Sequence, residues 1–308
     1  MSRTTSLTTA RETRAPSSAR PGSSEDGLSD DGAPRRTAHR AGPRRPVSTL
    51  TRTSGLGLGV TMLWFSLLVL VPLAAVVATA AAGGPAEFWR AVTTEQTLHA
   101  IRLTVLAATA VTCLNVVAGT AIAWVLVRDS FPGKRALEVV IDVPFALPTI
   151  VAGLVLLSLY GSSSPLGLHW ANTPWSVYLA FAFVTLPFVV RTVQPVLAEL
   201  DADVEEAAAS LGASRTTTFR RIVLPSIAPA IAAGAALSFA RGMGEYGSLV
   251  LLSGNLPFTS EVASVRILSS IENDNLAGAA AVATVLLLVS LAVIGVLDVV
   301  QRRVARRG

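Results

Sequence analysis

Hydrophobic positions along this chain gather in long unbroken runs. No Asp, Glu, Lys or Arg occurs between Thr53 and Ala86, Leu103 and Val127, Val143 and Val190, or Asn275 and Leu297. About 20 apolar residues carry a helix across a bilayer, and only helices or closed barrels satisfy their backbone there. Barrel strands alternate apolar and polar residues over short segments, and these runs do not alternate. The pattern predicts an all-α membrane protein with about six transmembrane helices, near 56–82, 99–127, 138–160, 175–198, 226–252 and 277–300. The stretch from 139 to 190 is too long for one crossing, and the Gly-, Ser- and Pro-rich segment 161–174 divides it. Arg241 and Glu245 interrupt the fifth span.

Polar segments set the orientation. Residues 1–52 are rich in Arg, Ser, Thr, Pro and Gly with no hydrophobic period, which predicts a disordered, basic, cytoplasmic tail. The apolar run that follows is too long for a signal-peptide core and reads as a retained first helix of a transmembrane domain, 53–303. With the N-terminus inside, the loops on that side carry Arg128, Lys134, Arg135, Arg215, Arg220 and Arg221, and the C-terminal tail adds Arg302, Arg303, Arg306 and Arg307. The outer loops carry Arg90 and Arg266. Basic residues concentrate on the cytoplasmic side of membrane proteins, so both termini are expected there.

Composition narrows the function. Charged residues make up 15% of the chain, against about 25% in soluble domains. The net charge of +5 does not signal nucleic-acid binding, because ten of the 25 Lys and Arg precede Thr53 and no aromatic-plus-basic stretch occurs. The single Cys113 excludes an internal disulfide, and His39, His99 and His169 are too scattered to suggest a metal site. No phosphate-binding G-x-x-x-x-G-K-[ST] sequence is present, so ATP is not expected to bind here. Gly242, Gly244 and Gly247 spell G-x-G-x-x-G, but inside a membrane segment rather than after a strand. Nothing suggests a nucleophile–base pair, and no enzymatic role is expected.

The loop at 199–225 carries the most specific signal. Asp203, Glu205 and Glu206 open it, as suits a helix N-terminus. Ala207, Ala208 and Ala209 favour helix, Gly212 ends it, and Pro225 suits the first turn of the next membrane helix. Glu206, Ala207, Ala208, Gly212, Ile222, Leu224 and Pro225 keep the spacing E-A-A, three residues, G, nine residues, I-x-L-P. This resembles the EAA loop of ABC importer permeases of type I fold. The resemblance implies a coupling helix seated in a groove of a separate ATPase subunit. Small residues there allow close approach, and the acidic cluster would meet basic groups of the partner.

The resemblance extends over about 56–303. The segment 131–161, with Pro144 to Thr149 reading PFALPT, is similar to the third-helix region of sulfate permeases, and 239–257, with Glu245, Tyr246 and Gly247, to their fifth helix. The match is to the T-type subunit of sulfate and thiosulfate importers. A molybdate or tungstate permease is the alternative within the class, and an ATPase-independent secondary anion transporter the alternative outside it. The family implies a dimer of ATPase subunits carrying ATP-Mg, a second, related permease subunit, an extracytoplasmic sulfate-binding protein and residence in a bacterial cytoplasmic membrane.

Two groups of residues are candidates for a translocation path or gate. Pro144 and Pro148 break a membrane helix, next to Thr149, and their freed carbonyls need other partners. Arg241 lies 15 residues past Ser226, about 22 Å along a helix, and Glu245 follows on the same face among Gly244, Tyr246 and Gly247. Charges inside a membrane segment face the bundle interior, where Arg241 would offset an oxyanion's charge. A structural ion pair, or contact with a partner subunit, is the other reading.

Overall fold

The computed structural model describes residues 52–305. Contacts divide the chain into two units, Met1–Gly55 and Leu56–Gly308. Apart from the first turn of α1, every helix named below belongs to the second. The tail expected over 1–52 lies outside the described residues except for Arg52, which opens α1.

The described residues are all helical or turn, with no strand. The first span is α1 (Arg52–Phe65), a π-helical turn at Ser66–Leu70 and α2 (Val71–Ala81). Its most apolar window holds no buried residue on this chain. Only Ala80 of α2 is buried, against α13 (Leu276–Ala305) in a small cluster with Val92, Ala280 and Ala281. Between the first two spans the chain forms a short amphipathic helix, α3 (Gly84–Thr93), with Pro85 in its first turn. Sequence reading predicted a loop there, because ten residues fall short of a membrane crossing.

The core is built by α4 (Glu95–Arg128), α7 (Pro174–Glu199), α10 (Leu224–Met243) and α13. Thr94 caps α4 by accepting from the Thr97 N–H at 3.4 Å, Glu95 sits in its first turn and Arg128 in its last. That charge order complements the helix dipole. Toward one end of the bundle, Ala107 and Ala108 pack with Phe181, Phe239, Met243 and Leu249; toward the other, Ala123 and Leu126 pack with Val189, Val193, Leu197 and Ile227. Small side chains let membrane helices approach where apolar lipid gives no hydrophobic drive. A buried hydrogen bond from Asn115 Nδ2 to Thr185 Oγ1, 2.8 Å, fixes α4 on α7.

Two of the expected spans are not continuous. The one predicted over 138–160 consists of α5 (Lys134–Ala146) and α6 (Thr149–Tyr160), bent by 117° at Leu147–Pro148. Pro144 and Pro148 lack the N–H groups that would hold the ladder straight, and Pro148 supplies the extended conformation before α6. The one predicted over 226–252 breaks at Gly244–Tyr246 into α10 and the short α11 (Gly247–Leu252). The described residues thus hold five long apolar helices, or six spans if the bent pair crosses as one. A last amphipathic helix, α12 (Ala263–Glu272), also falls in a predicted loop.

Candidate functional site

At one end of the bundle the loop after α7 forms α8 (Ala202–Ser210) and α9 (Arg215–Thr218), followed by a π-helical turn at Phe219–Val223 that runs into α10. Asp201 caps α8 by accepting from the Asp203 N–H at 3.1 Å. The helix stops at Gly212, whose φ of +84° is costly for any residue with a Cβ. There the Gly212 N–H donates to Ala209 O at 2.9 Å and the Ala213 N–H to Ala208 O at 3.0 Å, the paired bonds of a glycine-terminated helix. Ser214 then caps α9. Pro225 lies in the first turn of α10.

The motif residues point in different directions. Glu206 and Ala207 of α8 are exposed, and so are Gly212, Leu224 and Pro225; Ala208 and Ile222 are half-buried. Glu205, named from sequence with Glu206, is turned inward: its Oε1 accepts from Arg128 Nη2 at 2.5 Å. Sequence reasoning missed Leu211, which is 90% exposed at the end of α8, and Val204, 43% exposed two turns earlier. With Ala207 between them they form an exposed strip at helical spacing. The signal was present as an apolar residue beside the terminating glycine.

The other candidates meet near the far end of α10, about 30 Å away along a 20-residue helix. Here the two breaks pack against each other. A Cβ on Gly153 would lie 2.5 Å from Ser248 O, and one on Gly247 would collide with Thr149 Oγ1, so α6 and α11 touch backbone to backbone. Thr149 thus joins Gly244–Gly247, with Pro148 beside it. Pro144 does not join them; it stays in α5, where the neighbouring Phe145 packs edge-on against Phe188 of α7 at a ring separation of 4.9 Å.

Glu245 holds the α10–α11 break in place. Its side chain is 1% exposed. Oε1 accepts from the Ser248 N–H at 2.9 Å and from Ser248 Oγ at 2.8 Å, which caps α11. Oε2 lies 2.6 Å from Arg241 Nη1. The Glu245 carbonyl accepts from Ser264 Oγ of α12 at 2.6 Å. Arg241 itself is 31% exposed. Tyr246, half-buried, is the residue just before α11, with φ −131° and ψ −50°, outside both helical and extended backbone.

A second membrane-depth pair escaped sequence reading because its partners are 49 residues apart. Arg191 of α7 donates from Nε to Asp142 Oδ1 at 2.7 Å and from Nη2 to Asp142 Oδ2 at 2.5 Å. It also donates to Gln194 Oε1 at 2.9 Å and Glu138 O at 3.2 Å. This bidentate clamp fixes α5 on α7.

Residues 115–306 match the family described as binding-protein-dependent transport system inner membrane component. The sulfate transport system permease protein CysT of Salmonella typhimurium is 41% identical over 259 residues, 82% of this chain and 94% of the relative. CysT of Synechococcus elongatus is 43% identical, over 78% of this chain and 89% of its own length. A chain of a bacterial alginate ABC transporter, solved in complex with an alginate-pentasaccharide-bound periplasmic protein, superposes with a TM-score of 0.66 over 81% of this chain and 94% of that one. Its identity is 17%, so that likeness speaks for the fold alone, that of an ABC importer permease. The chain belongs to the binding-protein-dependent transport system inner membrane component family and groups there with the sulfate system permeases CysT.

Proposed function

We propose that this chain is the membrane permease subunit of an ATP-driven sulfate and thiosulfate importer. It works with an ATPase dimer that carries ATP-Mg, a related second permease subunit and an extracytoplasmic sulfate-binding protein, in the lipid of a bacterial cytoplasmic membrane with both its termini inside. The observation that carries the reading is α8: an acidic helix with Glu206 and the Val204–Ala207–Leu211 strip turned outward, stopped by Gly212, on a chain about 40% identical to CysT proteins along most of its length. An amphipathic helix that offers anchors at such spacing suits a partner's groove. A secondary transporter would have no use for it. The molybdate or tungstate alternative gains nothing from the relatives, which are named for sulfate.

Arg241 and the junction of α6 with α11 are the part of the translocation path this reading assigns. Arg241 is the partly exposed member of its pair and offsets the charge of a passing oxyanion; Glu245 keeps Arg241 and the helix break in position. Pro144, Pro148, Thr149, Gly244, Tyr246 and Gly247 shape the two breaks.

The test is purification of the tagged chain with the ATPase and second permease, then reconstitution with the binding protein. Sulfate uptake that requires both ATP and the binding protein is expected. Leu211→Asp should leave the chain in the membrane but lose the ATPase from the purified complex, since a central apolar anchor contributes about 2 kcal/mol or more. Uptake in the absence of the ATPase, or an ATPase that stays bound to Leu211→Asp, would sink the reading.

A further inference from the structure

The coupling helix is joined to the bundle through very little. Among the described residues, Glu205 is the only side chain of α8 with a hydrogen bond or ion pair to another helix. Between α8 and the bundle lies a cleft of about 530 Å³, lined by Trp124, Arg128, Glu205, Ala209, Arg215 and Phe219 among others. Close packing therefore does not transmit a displacement of α8 sideways into the membrane helices. One side chain spans the cleft. Arg128, the last residue of α4, donates from Nη2 to Glu205 Oε1 at 2.5 Å and to Leu200 O, at the end of α7, at 3.1 Å. Both charged side chains are largely withdrawn from solvent, 19% and 22% exposed, so the pair is screened less than a surface ion pair.

The helix it grips spans the whole bundle. At 34 residues α4 is about 50 Å long. At its far end Thr104 Oγ1 accepts the Ala263 N–H at 2.9 Å, Thr97 Oγ1 accepts from Arg266 Nε at 3.4 Å, and Gln96 Nε2 donates to Glu261 Oε2 at 2.7 Å. These bonds hold α12, whose Ser264 in turn holds the Glu245 carbonyl at the α10–α11 break. A shift of α4 thus reaches the break by directed hydrogen bonds.

On the importer reading above, we propose that Arg128 is a positioning residue for energy coupling: a strut that makes α4 a second lever. Pull on α8 reaches α10 through the backbone of α9 and α7 through Leu200–Asp201, and Arg128 is its one direct side-chain tie to α4 among the described residues. Without the strut, the ATPase still docks and turns over, while α4 lags and hydrolysis is spent without transport.

The experiment uses the reconstituted full complex with its binding protein, and reads sulfate uptake per ATP hydrolysed alongside the amount of ATPase that co-purifies. Arg128→Gln is expected to keep ATPase binding and hydrolysis but to lower uptake per ATP about tenfold, the loss of one charge-assisted bond. Arg128→Lys, which reaches Glu205 but not Leu200 as well, should fall between. The exchange Arg128→Glu with Glu205→Arg should restore the ratio to within about threefold, since the ion pair returns without the carbonyl bond. Three results overturn the strut: an unchanged ratio in Arg128→Gln, a loss of assembled complex with a normal ratio in what remains, or an exchange variant no better than Arg128→Gln. If the unmutated complex shows no ATP-driven uptake, the importer reading fails and the strut, which rests on it, falls with it.

Discussion

Replacing Gly153 with Ala tests whether the backbone contact of α6 with α11 is as tight as the structure shows. The added Cβ would sit 2.5 Å from Ser248 O, 2.8 Å from Ser248 Cα and 3.0 Å from Ser248 C, where ordinary contact begins at 3.4 Å. All three are main-chain atoms, so no side chain can rotate away, and the helices must part by up to about 1 Å. Overpacking of that kind costs about 1–3 kcal/mol. Ala is a better helix former than Gly by about 1 kcal/mol, which offsets part of it. A net loss of up to about 2 kcal/mol is expected. Gly295→Ala is the control: it lies in α13 with nothing within 4 Å of the new Cβ, so only the propensity gain remains. The assay is thermal unfolding of the purified complex in detergent, with sulfate uptake measured in parallel. Gly153→Ala should melt below the parent and Gly295→Ala at or slightly above it. A Gly153→Ala complex that melts with the control and transports normally would refute the contact.

Glu245→Gln removes the charge facing Arg241 in a buried site, and a broken pair of that kind costs about 3 kcal/mol; quantitative blotting of membranes should show reduced abundance, partly recovered when Arg241→Gln is added. Gly212→Ala forces a Cβ into φ +84°, at about 1–2 kcal/mol, so ATPase co-purification should weaken while Gly212→Asn retains more of it. Asp142→Asn leaves Arg191 without its bidentate partner; limited digestion with trypsin should then cut faster at Lys134 and Arg135, which open α5, than in the parent, and an unaltered pattern would show that the clamp does not hold α5.

The spans were legible because bilayer thickness imposes a length that composition alone reveals. Gly212 and Pro225 were legible because helix ends obey local rules. The 117° bend was not: two prolines announce a break, but its angle is set by what α5 and α6 pack against, Arg191 and Phe188 on one side and Gly247 and Ser248 on the other. The Arg241–Glu245 pairing follows from i,i+4 spacing, whereas Glu245 as the cap of α11 needed the break to be seen first. Glu205 looked equivalent to Glu206 in sequence, and only the fold turns one toward Arg128 and the other outward. The helices α3 and α12 were missed because ten residues cannot span a bilayer and hydrophobic runs say nothing about helices lying outside one.

The π-helical turn at Phe219–Val223 gives the motif's spacing an angular meaning. A π turn holds one residue more than the α turn it replaces. Deleting that extra residue would let the turn relax to α and leave everything after it in nearly its present phase, since five residues of π turn and four of α turn each sweep a little over one full rotation. Forcing the same five residues into α geometry would instead turn α10 by about 100° about the helix axis, and Ile227 and Phe239, now fully buried, would leave its core side. The nine residues between Gly212 and Ile222 therefore work as a phase setting, which fixes the direction in which α10 faces once α8 is docked. A change that straightens the turn without shortening it is a rotation fault, invisible to any measure of hydrophobicity.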